Sequence, residues 1–261
     1  MPDANCKICD GTGWMIVERG GLSGAKRCEC SFVSEGQANK AKSRIPPKYE
    51  HTTLDSFKVP ENNPITRQGL VRALMQVRAF VREFPDGRPQ GLLLTGDPGC
   101  GKTHLGIGAM KILMDRGHEC VFFDYQHLIH SIRQGWDAAS GTSDKEAYRT
   151  ALDAEVLMID DLGAHRVVDW VEDTVTDIIT HRANHHKALI VTTNLPDEDV
   201  TGNVKDFETP GGKVIHRKTL RELIGLRARS RLFEMCRMVQ MPSIRDHRVE
   251  NAKIVKLGPD Y

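Results

Sequence analysis

The chain has 261 residues, enough for one α/β core and a small appendage, since single hydrophobic cores stop growing near ~250–300 residues. Hydrophobic residues make up 39% and charged residues 27%; no stretch approaches the ~20 apolar residues of a membrane span, and the opening MPDANCKICDG lacks a signal-peptide pattern, so the expectation is a cytoplasmic protein without membrane contact. Basic residues number 36 and acidic residues 35, a net charge of +1, which excludes a surface that coats duplex DNA and leaves only local contacts with nucleic acid.

The first 33 residues are rich in Gly and Cys and hold little to bury. Cys6-x-x-Cys9 and Cys28-x-Cys30 stand 18 residues apart. In a cytosolic chain, clustered cysteines indicate a metal ahead of disulfides. Four thiolates close a tetrahedral zinc site and leave no position for a catalytic water. Gly11 and Gly13 let the chain turn, Trp14–Val17 reads as a strand, and Gly20, Gly21 and Gly24 lie in the return loop. A segment this small needs the metal's binding energy to fold. A labile thiol cluster and an iron–sulfur site are the alternatives. Residues 34–64 are polar and basic, then marked by Pro46, Pro47, Pro60 and Pro64, and read as a linker with turns.

Residues 65–261 read as one α/β domain. Leu70, Leu74, Val77, Val81 and Phe84 recur at helical spacing. Short apolar runs predict buried strands at Gly91–Thr95, Cys120–Asp124, Val156–Asp160 and Leu189–Thr193, with a fifth at Met238–Met241. Helices are predicted over Lys102–Met114 and around Val168, Val171, Val175 and Ile178. This alternation implies a mostly parallel sheet covered on both faces, with ligands held beyond the carboxyl ends of its strands.

Gly96-Asp97-Pro98-Gly99-Cys100-Gly101-Lys102-Thr103 fits G-x-x-x-x-G-K-[ST] in full, between an apolar strand and a helix. The glycines let backbone N–H groups turn inward around a β-phosphate. Lys102 supplies positive charge to the β- and γ-phosphates, Thr103 offers a hydroxyl to Mg²⁺, and the helix points its positive end at the anion. His104 adjoins the loop at the helix start and is counted with the nucleotide-binding residues, although a plain surface role suits it as well. Further on, Val156–Ile159 leads into Asp160-Asp161. Acids at the end of a buried strand need a partner. Mg²⁺ is such a partner for Asp160, and Asp161 is placed to orient and deprotonate an attacking water. A helix N-cap or turn is the other reading of Asp161.

Asp160-Asp161-Leu162-Gly163, taken with the phosphate loop, resembles the AAA+ ATPases of the bacterial DnaC/DnaI helicase-loader group; the IstB transposition helpers look similar. The likeness covers roughly residues 45–255. It implies a P-loop NTPase fold of the AAA+ type that binds ATP and Mg²⁺ and hydrolyses ATP. The implied partners are a DnaB-type replicative helicase and single-stranded DNA, in a homo-oligomer or a complex with the helicase. Many AAA+ proteins carry Glu where this chain has Asp161, one methylene shorter, so a nucleotide-dependent switch with negligible turnover is a second reading. By the same resemblance, Asn194 after Leu189–Thr193 takes the place of sensor one, which positions water near the γ-phosphate; as a residue before Pro196 it also suits a turn. Gly225–Leu232 resembles the arginine-finger box, with Arg231 as the finger acting on a neighbouring subunit and Arg227 four residues earlier on the same helix face. Arg248, in Arg245-Asp246-His247-Arg248, matches the second sensor. A solvated basic face is the plainer reading of these arginines. The basic stretch after Pro210-Gly211-Gly212 (Lys213, Arg217, Lys218, Arg221) reads as a solvated insertion or a contact for single strands. DnaI-type loaders bear an N-terminal zinc domain that contacts the helicase, which casts residues 1–33 as a docking module; the IstB helpers lack such a cluster.

Overall fold

The computed structural model describes residues 3–19, 22–28, 30–31, 39–40, 42–60, 63–136, 144–164, 168–201, 207–208, 214–215 and 218–244. The cysteine-rich segment forms an antiparallel hairpin, β1 (Trp14–Arg19) and β2 (Leu22–Arg27), with Trp14 opposite Arg27 and Ile16 opposite Ala25. Everything after it is organised by one five-stranded sheet. In β3 (Gly91–Thr95), β5 (Val156–Asp160) and β6 (Ala188–Thr193) every residue is buried; β4 (Cys120–Asp124) is buried up to Asp124, and β9 (Cys236–Gln240) in part. Unbroken apolar runs suit strands covered on both faces. All pairings are parallel, in the order β4-β5-β6-β3-β9, so β6 lies between the strand of the phosphate loop and the strand of the acid pair.

Two apolar layers sandwich the sheet. Leu92 and Leu94 face α1 (Pro64–Glu83) and α2 (Lys102–Asp115). Leu93 faces the layer built from α3 (Tyr125–Trp136), α4 (Asp144–Asp153), α5 (Asp169–Asn184) and α7 (Leu220–Met235). Each of these leucines is fully buried, worth ~1.5–3 kcal/mol apiece, so the strands are rigid posts for the loops at their ends. Between β6 and α7 come α6 (Glu198–Thr201) and the two-residue strands β7 (Phe207–Glu208) and β8 (Val214–Ile215).

Local signals set the helix ends. Asn63 caps α1, its side chain accepting from Ile65 and Thr66 N–H, with Pro64 in the first turn. Thr219 and Glu222 form a capping box at the start of α7. That helix breaks at Gly225 (φ 78°), where a Cβ would strike the Glu172 carboxylate. Arg182, in α5, is fully buried. It donates to Ala151 O at 2.9 Å, Leu152 O at 3.3 Å, Glu155 O at 3.2 Å and to Ala188 O, tying the end of α4 to β6. Burial pulls its guanidinium down to about 9, still charged at neutral pH.

Much of the stretch read as a linker is laid on the core. Asn39 donates to Gly117 O and His118 O, and Lys40 pairs with Asp115, all at the far end of α2. Ser43 O accepts from Phe122 N–H at 2.8 Å, on the edge strand β4. Lys111 donates to Tyr49 O and Glu50 O, Leu54 is buried against Gly108, and Phe57 rests on Gly101. The segment thus runs the length of α2 toward the phosphate loop. Proline-rich composition misleads here because the fixing contacts come mainly from side chains of α2. The fifth strand begins at Cys236, two residues before the expected start; the preceding helix runs directly into it.

Candidate functional site

The phosphate loop leaves the carboxyl end of β3 and enters α2 at Gly101. Gly96 (φ 144°), Gly99 (φ 75°) and Gly101 (φ 96°) hold conformations that L side chains rarely adopt. The loop is also packed from both sides: a Cβ on Gly101 would lie 2.6 Å from Phe57 Cε2, and one on Gly96 2.9 Å from Met241 Cβ. Pro98 is exposed at its tip, and Asp97 accepts from Ser243 Oγ at 2.7 Å. Cys100 is buried, and burial pushes its thiol up while the Lys102 ammonium works the other way. Lys102 is 5% exposed; its ammonium donates to Gly96 O and Asp97 O at 2.8 Å each and to Asn194 Oδ1 at 2.6 Å.

Asp160 ends β5, and its Oδ1 accepts from Thr103 Oγ1 at 2.8 Å and Thr192 Oγ1 at 2.6 Å. Burial pushes this carboxyl above the usual range, while the two hydroxyls work the other way. Asp161 sits in the left-handed region (φ 56°), which Asp tolerates better than most residues. Its N–H donates to Thr192 Oγ1 at 2.9 Å, and its Oδ1 accepts from Asn194 Nδ2 at 2.8 Å. The Asn194 amide must point this way, because a flip would set its NH₂ against the Lys102 ammonium. One amide at the end of β6 therefore joins the loop lysine to the second acid. Thr192, which sequence reasoning passed over, joins both acids; the signal was a pair of hydroxyls, Thr192-Thr193, ending an otherwise apolar strand.

A cleft of about 980 Å³ adjoins the loop, lined by Phe57, Val59, Thr66, Leu70, Gly99 and Ile244 among others. His104 lines it too, with Nε2 2.9 Å from Thr53 O and 3.2 Å from Ser56 Oγ and its ring edge-on to Phe57. It holds the 53–57 segment that walls the cleft. The hard oxygen donors of Thr103 and Asp160, already in mutual contact beside the loop, suit Mg²⁺.

On α7, Arg227 is exposed, and Arg231 is half-exposed and paired with Glu234 at 2.6 Å. Arg229 between them grips Asp197 with two bonds of 2.6 Å and also holds Asp199, which keeps its guanidinium well above the ordinary value and pins α6 to α7. Arg245, Arg248, Lys213 and Arg217 lie outside the described residues; Lys218 and Arg221 are exposed.

In the hairpin, the four thiols of Cys6, Cys9, Cys28 and Cys30 lie within 4.8 Å of one another. Cys6 Sγ is 3.7 Å from Cys28 Sγ, and Cys9 Sγ is 3.5 Å from Cys30 Sγ. A tetrahedron with ~2.3 Å zinc–sulfur bonds has edges of ~3.8 Å, so the donor set fits. Gly13 N–H donates to Cys9 Sγ at 3.2 Å and Cys28 N–H to Gly13 O at 2.8 Å, which closes the knuckle beneath β1. Burial opposes a thiolate at Cys9, but the Gly13 amide and the neighbouring thiols outweigh it and bring that thiol to about 7.

The sheet order, with a phosphate loop, an acid pair and a polar strand tip at one edge, defines a P-loop protein of the AAA+ type. The chain belongs to the family of IstB-like ATP binding proteins, which matches residues 49–208. It is similar to YqaM of Bacillus subtilis (strain 168), 24% identical over 199 residues, with 74% of this chain and 60% of that one covered. It is also similar to the replicative helicase loader DnaC of Escherichia coli (strain K12), 23% identical over 160 residues, with 61% and 62% covered. The chain thus spans about six-tenths of the length of these curated relatives. The crystal structure of the DnaC helicase loader superposes with a TM-score of 0.59 at 28% identity, covering 76% of this chain and 100% of that one. The family match begins after the cysteine cluster. No described helix is long and apolar enough to cross a membrane.

Proposed function

We propose that this protein is a cytoplasmic ATPase that docks a DnaB-type replicative helicase and places it on single-stranded DNA. The observation that carries the reading is the bonded set Lys102–Asn194–Asp161 beside Thr103–Asp160–Thr192, next to a phosphate loop whose Gly99–Gly101 also line an open cleft. Residues Gly96–Thr103 cradle the phosphates, with His104 and Phe57 shaping the cleft wall and Arg248 reaching the γ-phosphate. Thr103 and Asp160 hold Mg²⁺, which when bound neutralises charge on the β- and γ-oxygens. Lys102 turns its ammonium from the loop carbonyls to the phosphate oxygens. Asp161 takes the proton of the attacking water as its oxygen meets the γ-phosphorus and the bond to the β–γ bridging oxygen breaks. Asn194 keeps the Asp161 carboxylate aimed, and Arg231 of a neighbouring copy stabilises the charge on the transferred group.

On this reading residues 1–33 are a zinc-held docking module, residues 65–261 are the ATPase domain, and residues 34–64 are the linker that joins them, laid along α2 as a strap. Four exposed apolar side chains on so small a module, Ile8, Trp14, Ile16 and Val17, support docking. The match to the IstB-like family favours a second reading, an ATPase helper of a transposase. A pull-down with the replicative helicase of the same source, with ATP, separates them. The intact chain retains the helicase and the Cys9→Ser/Cys28→Ser variant does not. If neither retains it, the loader reading fails and the transposase helper takes its place.

A further inference from the structure

Asn194 stands one residue past the end of β6, so the sheet ladder, whose last rung beside β3 is Thr95–Thr193, does not reach it. The next three residues are each fastened. Leu195 N–H donates to Thr193 Oγ1 at 3.1 Å, and its side chain lies on Gly163, where an added Cβ would come within 2.3 Å of Leu195 Cδ1. Pro196 O accepts from Leu220 N–H at 2.9 Å, at the start of α7. Asp197 is 3% exposed, and its carboxylate receives the Arg229 guanidinium as a fork, Nε to Oδ2 and Nη2 to Oδ1, at 2.6 Å each. The guanidinium carbon lies 4.4 Å from the Phe233 ring centre, which steadies it further.

Simpler roles would not need such a fork. Capping α6 takes only the bond from Asp199 N–H to Asp197 Oδ1, at 3.2 Å, which Asn or Ser would accept as well. Holding α6 on α7 could be done by apolar contact, without the desolvation that a buried ion pair costs. What the fork adds is a fixed direction. That direction has a short path to travel. Asn194 and Asp197 are three residues apart, ~11 Å of chain at most, and Pro196 fixes one φ between them. The mount is firm, because Leu220, Ile224, Ala228 and Leu232 of α7 are fully buried. We propose that Asp197 and Arg229 are positioning residues for ATP hydrolysis, holding the loop after β6 on α7 so that the Asn194 amide stays between Lys102 and Asp161. This role rests on the one proposed for Asn194. It extends the site to a helix on the face of the sheet opposite α2.

The full chain is compared with Asp197→Asn, which keeps the shape and the cap but not the charge, and with Arg229→Lys, which keeps the charge but not the fork. Single-turnover phosphate release is expected to fall ~10–100-fold in Asp197→Asn, as for a catalytic group displaced by ~1 Å, and by less in Arg229→Lys. Fluorescent-nucleotide affinity stays within about threefold, because the loop backbone and Lys102 do the binding. A cycle with Asn194→Ala separates positioning from plain support of the fold. The clamp acts through Asn194, so adding Asp197→Asn to Asn194→Ala slows release by less than about a further twofold, whereas plain support gives the same loss in both backgrounds. The Asn194 side-chain NH₂ signals in NMR, identified by their loss in Asn194→Ala, are expected to shift in both clamp variants. Arg229→Lys carries the same cycle if Asp197→Asn is recovered unfolded. Unchanged release, equal losses in both backgrounds, or unmoved Asn194 signals would each overturn the clamp. An unaltered chain that binds ATP and releases no phosphate removes the hydrolytic reading of the site, and the Asn194 signals alone then decide whether Asp197 and Arg229 hold that amide.

Discussion

Replacing Asn194 by Ala removes one amide and two bonds, to the Lys102 ammonium at 2.6 Å and from Nδ2 to the Asp161 carboxylate at 2.8 Å. Both partners are charged, and a hydrogen bond to a charged group is worth ~1.5–3 kcal/mol net. Lys102 keeps its two loop carbonyls and, with ATP present, gains phosphate oxygens; its loss is therefore made good. Asp161 loses the contact that aims its carboxylate, and only a mobile water can replace it. One bond's worth, ~1.5–3 kcal/mol, then falls on the hydrolytic step, a decrease in kcat of ~10–150-fold. ATP affinity changes by less than about threefold, because the loop backbone and Lys102 do the binding. Single-turnover phosphate release and fluorescent-nucleotide titration read the two quantities separately. Unchanged phosphate release, or an affinity loss as large as the rate loss, would refute the assignment of Asn194 to Asp161.

Other outcomes follow from the same geometry. Metal analysis of the purified chain is expected to find about one zinc, released by a thiol-modifying reagent, with ATP binding retained afterward because the cluster stands apart from the phosphate loop in sequence and hydrogen bonding. Arg182→Met strands four carbonyls and is expected to cost ~3–5 kcal/mol in urea unfolding, a large share of a domain's ~5–15 kcal/mol; a loss under ~1 kcal/mol would mean that water reaches those carbonyls. The bond from His118, against the opposing effect of burial, holds the Glu155 carboxyl below its ordinary 4.5. Its stabilising contribution is therefore present above that pH and lost as pH falls through the lower folded value, so melting temperature in Glu155→Gln should fall less steeply in that acid window than in the unaltered chain.

Strands and loop were legible because their chemistry is local. GLLLT followed by the glycine pattern specifies a buried strand and a phosphate turn within fifteen residues, and VLMIDD does the same for the acid pair. Asn194 could be placed only through resemblance, since its partners lie 92 and 33 residues away in sequence. The strap's fastenings are hidden in the sequence for a related reason. Its prolines describe a chain of turns, which it largely is apart from a short 3-10 helix at Pro47–Tyr49, whereas His104, Lys111 and Asp115, the groups that fasten it, belong to another element. Arg229 shows the converse: in a run of three arginines at alternate positions, nothing local says that the middle one is taken by Asp197 and Asp199.

The strap's fastenings act in series, like the teeth of a zip. A load applied to the hairpin reaches Asn39 and Lys40 first, then Ser43, then the Lys111 clasp, and only last His104 and Phe57. A zip opens from its pulled end, one tooth at a time, at low force. Pulled from its Asn39 end, the strap would open there while the segment over Gly101 stays seated, so slack is taken up at the end of α2 farthest from the phosphate loop.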